Sequence, residues 1–100
     1  MKSIEEIKID LTNDVLFYYA IKPEAMKEMK NDPVLVNGLF KRVEAYEKAI
    51  KKAPLSLQAI FDYLYVKGLT QKEASLKMGI SQGYASKLNG KLLAYLQENV

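Results

Sequence analysis

Residues 69–96 read Leu-Thr-Gln-Lys-Glu-Ala-Ser-Leu-Lys-Met-Gly-Ile-Ser-Gln-Gly-Tyr-Ala-Ser-Lys-Leu-Asn-Gly-Lys-Leu-Leu-Ala-Tyr-Leu, and this stretch decides the fold. Thr70 followed three positions later by Glu73 is a capping box, in which each side chain satisfies the other's free backbone amide. A helix of about two turns follows, to Met78. Gly79 stands where the chain must reverse, since a residue without Cβ accepts φ > 0 at no steric cost. Ile80 plugs the turn, and Ser81 caps a second, longer helix. The inward face of that helix is Ala85, Leu88, Leu92 and Tyr95 or Leu96, and Ser75 is small where the first helix must approach it. Two helices joined by such a Gly-containing turn make a helix-turn-helix, whose second helix can lie in the DNA major groove.

Upstream, Leu57, Ile60, Phe61, Leu64 and Tyr65 recur at helical spacing between Pro54 and a C-capping Gly68. Leu35, Leu39, Val43, Tyr46 and Ile50 mark another amphipathic helix over residues 33–52, with Asp32 as its cap and Pro33 at its first position. Pro23 opens a short helix that Asn31 breaks. Thr12-Asn13-Asp14 reads as the cap and acidic first turn of a helix through residues 15–21. Residues 1–11 stay open. Ser3 and Glu6 suit a capping box, yet Ile7, Ile9 and Leu11 alternate with Lys8 and Asp10 as in a strand. No strand-turn-strand pattern follows residue 12. The expected class is all-α: a small helical domain with a C-terminal helix-turn-helix. Residues 1–52 form an N-terminal helical extension for dimerisation or partner contact, and residues 53–100 the DNA-binding unit, with 53–97 as a compact set of three helices.

Composition narrows the function. One hundred residues, 49% hydrophobic and 27% charged, suit one folded core. The chain has no Cys and no His, which removes disulfides, thiolate or imidazole metal sites and His-dependent catalysis. Asp10, Asp14, Glu24 and Glu28 make no convincing acid–base pair, and the remaining nucleophiles have no base beside them. The longest apolar run, residues 15–21, is too short to span a membrane, and no secretory signal pattern is present. The expectation is a cytoplasmic, non-enzymatic protein without metal or cofactor, working through its surface. Charge is uneven on that surface. Residues 1–50 carry eight basic and nine acidic side chains (−1), whereas residues 51–100 carry seven Lys against Asp62, Glu73 and Glu98 (+4), summing to +3. Such asymmetry suits an anionic partner, and equally an ordinary Lys-rich solvated helix surface.

Leu69-Thr70-Gln71-Lys72-Glu73 and Met78-Gly79-Ile80-Ser81 give residues 69–88 a further meaning. This stretch resembles the helix-turn-helix of region 4 of bacterial sigma factors, and residues 53–68 look like that family's preceding helix. The resemblance covers residues 53–97 and implies a helical fold, promoter binding and contact with RNA polymerase. Four residues depart from the family pattern. Ala74 and Ala85 stand where Ile or Val is usual, each truncation costing about 1–3 kcal/mol unless neighbours fill in. Gly83 falls inside the recognition helix, where it costs about 1 kcal/mol of helix propensity. Leu76 is apolar at a normally polar position, so it faces either a partner or the amino-terminal half.

On this reading, the recognition-helix residues pointing away from Ala85, Leu88 and Leu92 are Gln82, Gly83, Ser86 and Lys87, following the cap Ser81. Gln82 suits adenine, Lys87 suits guanine, and Ser86 suits a base edge or a phosphate. Lys72, Lys77 and Lys91 flank the motif as phosphate contacts. Each of these residues has an ordinary solvated surface role as its alternative. Tyr84 either lies against the DNA backbone or covers the edge of the core, with the core preferred, and Tyr18, Tyr19, Tyr46, Tyr63 and Tyr65 are assigned to core or interface. The function expected is a sequence-specific, DNA-binding transcription regulator acting on double-stranded DNA, with RNA polymerase as a further candidate partner. Two alternatives stand beside it. One is a small phage- or plasmid-type factor that engages polymerase or a sigma factor without reading DNA. The other is a DNA-packaging or recombination accessory. The stripe Leu35, Leu39, Val43, Tyr46 predicts a homodimer interface that aligns two recognition helices; its rival is packing on residues 15–21 within one chain.

Overall fold

The computed structural model describes all of residues 1–100 as six helices with no strand. These are α1 (residues 4–20), α2 (Pro23–Met29), α3 (residues 33–51), α4 (residues 55–66), α5 (Gln71–Met78) and α6 (Gln82–Asn99). The all-α class read from the sequence is the observed one.

The amino terminus resolves toward helix. Ser3 Oγ accepts the Glu6 N–H at 3.1 Å, and the Glu6 carboxylate accepts the Ser3 N–H at 3.2 Å. No new helix starts at Thr12-Asn13-Asp14, which corrects the sequence reading. The Thr12 hydroxyl instead donates back to the Lys8 carbonyl at 2.8 Å, and the Leu16 N–H reaches five residues back to Leu11. This widened turn has a packing reason. Ile7, Leu11 and Val15 are spaced by four, so on a regular helix each would drift about 40° from its predecessor. A wider turn takes up that drift, and all three are fully buried. Ile9 is 54% exposed, so the strand-like alternation was accidental.

Further along, Asp32 caps α3 by accepting the Val34 N–H at 2.9 Å, with Pro33 at the first helical position. Gly68, past the end of α4, adopts φ 70°.

A single cluster of 19 buried apolar residues runs from Ile7 to Leu96 and draws on every helix except α2. It absorbs most of the stripe expected at a dimer interface. Leu39, Val43 and Tyr46 are buried within the one chain and Leu35 is half-buried, so this stripe is not free to join a second copy. The cover is α1. Tyr46 Oη donates to Asp10 at 2.5 Å, Arg42 Nε to Asp14 at 2.8 Å, and Tyr19 Oη to Glu47 at 2.6 Å. Burial, reinforced by the adjacent carboxylates, pushes the Tyr19 and Tyr46 hydroxyls well above the usual tyrosine range, so both remain hydrogen-bond donors.

Helix α6 is the central strut, packing on α1, α3, α4 and α5. Leu88, Leu92, Leu93 and Leu96 bury its inner side. Three polar bonds fix its azimuth: Tyr65 Oη to Asn89 Oδ1 at 2.7 Å, Tyr95 Oη to the Ala49 carbonyl at 2.7 Å, and Gln97 Nε2 to the Lys2 carbonyl at 3.1 Å. No helix is long and apolar enough to cross a membrane.

Candidate nucleic-acid interface

The turn between α5 and α6 is built by local chemistry. Thr70 Oγ1 accepts the Glu73 N–H at 3.1 Å, and Glu73 returns its carboxylate to the Thr70 N–H at 3.1 Å. Gly79 closes α5 in the left-handed region (φ 70°, ψ 34°), and its N–H points back to the Leu76 carbonyl. The Ile80 N–H reaches Ser75 at 3.0 Å while its side chain packs against the core. Ser81 Oγ then accepts the Tyr84 N–H at 3.1 Å and starts α6. The reversal therefore falls at Gly79–Ser81, as the sequence predicts. Ala74, Ser75 and Ala85 are all buried, and these small side chains let α5 and α6 approach closely.

Burial of Ala85, Leu88 and Leu92 leaves the opposite side of α6 in water. Ser81, Gln82, Gly83, Ser86, Lys87 and Lys91 are all exposed, as are Lys72 and Lys77 on α5. None of these four lysines has an acidic partner; the ion pairs of the molecule lie elsewhere, at Lys2–Asp10, Lys8–Glu5, Arg42–Asp14, Lys48–Glu44 and Lys67–Asp62. Glu73, the acid nearest in sequence to Lys72 and Lys77, is held by its capping bonds. The outcome is a surface with positive charge and hydrogen-bonding groups around the start of α6, a combination that suits phosphate and base edges.

Two open assignments narrow. Tyr84 is 45% exposed and stands outside the core, beside Gln82 and Gly83 rather than at the core edge. Capping by Ser81 sets the phase of the first turn, and Ala85 takes the inward position instead. Leu76 is 74% exposed, so of its two expected roles, packing on the amino-terminal half is ruled out. Asn89 and Tyr65 hold α6 at a set rotation, and sequence reading missed the pair. The only available signal was a polar residue following the buried Leu88.

The Thr70 backbone N–H donating to the Glu73 carboxylate, helped by the Thr70 side chain, holds that carboxyl below the ordinary Glu range. A folded-state value depressed below the unfolded one adds stability above the unfolded value and loses it as pH falls through the folded one. The protection factors of the Thr70 and Glu73 amides, taken relative to the intrinsic exchange rate at each pH, are therefore expected to fall on acidification through the carboxylate range. Glu73→Gln, which keeps a capping acceptor without a titrating group, is expected to flatten that dependence.

Gly83 and Gly90 sit inside α6 without positive φ, and a Cβ added to either meets nothing within 4 Å. Gly83→Ala and Gly90→Ala are each expected to stabilise the protein by about 0.5–1 kcal/mol, read from the denaturant midpoint. Destabilisation at either position would mean that its surroundings are not open.

Comparison of the chain with family models, with curated proteins and with solved structures gives no match.

Proposed function

We propose that α5 and α6 bind double-stranded DNA, with the amino-terminal half of α6 in the major groove, and that the protein is a sequence-specific transcription regulator of the sigma region 4-like kind. The observation that carries this reading is the pairing of a capped Gly79 turn with four lysines that no acid neutralises. Lys72, Lys77 and Lys91 supply phosphate contacts, which give affinity without sequence information. Gln82, Ser86 and Lys87 supply base contacts on the exposed side of α6, with Gly83 leaving room for close approach.

The test is the double substitution Gln82→Ala with Lys87→Ala. Both residues are exposed and outside the core, so thermal stability should stay nearly unchanged. A good bidentate base contact is worth about 1–3 kcal/mol, so the ratio of specific to non-specific affinity should fall roughly tenfold or more. An unchanged footprint would mean that another surface reads the DNA.

The exposure of Leu76 favours a second reading, in which α5 contacts a protein such as RNA polymerase. Leu76→Ser separates the two: it should leave duplex affinity intact and weaken polymerase capture if that contact exists.

A further inference from the structure

A second basic surface lies away from the α5–α6 turn. Lys41, Ala45 and Lys48 of α3 and its C-cap Lys52 fall on one side at spacings of four, three and four, and all four are exposed. Two adjoining shallow depressions share Ala45 and Lys48 and together make one groove. Its floor is the small residues Ala45 and Ala49, its far wall is Tyr95, Asn99 and Val100 of the α6 end, and its rim is Lys41, Lys48 and Lys52. Glu44, which also lines it, pairs with Lys48 at 2.9 Å, leaving Lys41 and Lys52 without acidic partners. One hydrogen bond ties the far wall to the floor, Tyr95 Oη donating to the Ala49 carbonyl at 2.7 Å, and Asn99 Nδ2 donates to the Tyr95 carbonyl at 2.7 Å.

We infer that this groove docks an acidic, partly apolar segment of a partner protein. Charge complementarity selects the acid. The alanine floor and the flank of Tyr95 select apolar side chains between the acids, which a bare phosphate backbone does not offer. Position supports the same choice. Tyr95 lies fourteen residues beyond Ser81, or about 20 Å along α6 at 1.5 Å per residue. A protein seated here leaves the start of α6 free, so the two surfaces can be occupied together. The inference stands whether or not α5 and α6 bind DNA.

The test uses the full chain, isotope-labelled, and a synthetic amphipathic peptide of Glu and Leu, with the same peptide carrying Lys for Glu as control. The Glu peptide should shift the amides of Lys41, Ala45, Lys48, Ala49, Lys52, Tyr95 and Asn99 in a saturable way, and the Lys peptide should not. Lys41→Glu with Lys52→Glu should weaken binding roughly tenfold, because two favourable exposed contacts become repulsive. The milder Lys41→Gln with Lys52→Gln should weaken it less, and both variants should keep the wild-type melting temperature. Shifts spread over lysines of every helix without saturation would overturn the inference. Duplex DNA of random sequence shifting these amides more strongly than the Glu peptide would overturn it in favour of a nucleic-acid surface.

Discussion

Deleting residues 1–20 is expected to abolish the cooperative fold of the whole chain, including the helices around the Gly79 turn. Ile7, Leu11 and Val15 are fully buried, and each such burial is worth about 1.5–3 kcal/mol. Their sum of roughly 5–9 kcal/mol is comparable with the entire net stability of a domain, about 5–15 kcal/mol. The deletion also uncovers Val43 and Tyr46, which α1 helps to shield. Far-ultraviolet circular dichroism and chemical denaturation should find little helix and no sharp transition in the truncated chain. Leu11→Ala is the graded version, expected to lower stability by about 2–5 kcal/mol while leaving a folded state to measure. A truncated chain that kept a sharp transition of its own would make α1 an appendage to an independent carboxy-terminal unit.

Neutralising the lysines around the turn should have the largest effect on binding. In Lys72→Gln, Lys77→Gln, Lys87→Gln, Lys91→Gln, no ion pair is broken, because none of the four makes one, and no buried contact is lost. Melting temperature should barely move. Duplex affinity should fall by roughly three orders of magnitude or more near 0.1 M salt, since the phosphate contacts of Lys72, Lys77 and Lys91 each release close to one counterion and the base contact of Lys87 is lost as well. A variant with full affinity would remove α5 and α6 from the interface and leave the turn as a packing device.

What the sequence reveals about this molecule is its local chemistry. Thr70 with Glu73, Gly79, Ser81, and Asp32 with Pro33 act within a turn of their own positions, and each makes the bond its residue type predicts. The exposed side of α6 was equally legible, because Ala85, Leu88 and Leu92 fix the inward phase. Tertiary effects were not legible. The widened turn at residues 10–15 answers to packing of Leu11 and Val15 against distant helices, so a polar Thr12-Asn13-Asp14 run looked like a helix start when it is helix interior. Leu39, Val43 and Tyr46 declared an apolar face without saying what covers it, and α1 covers it with Asp10 and Asp14 turned toward Tyr46 and Arg42. Tyr84 is a large aromatic whose exposure follows from helix phase alone, against the ordinary preference of its side chain for the core. Lys41, Lys48 and Lys52 resemble any solvated lysines until α6 closes a wall beside them.

The claim on which the functional account rests is that α5 and α6 hold duplex DNA through four unpaired lysines. Titration of the full chain with a fluorescent duplex at several salt concentrations tests it most directly. The three phosphate contacts of Lys72, Lys77 and Lys91 predict a slope of about −2.7 for log affinity against log salt, which is roughly a fortyfold loss between about 50 and 200 mM. Absence of duplex binding at low salt, or an affinity that does not change with salt, would contradict the account.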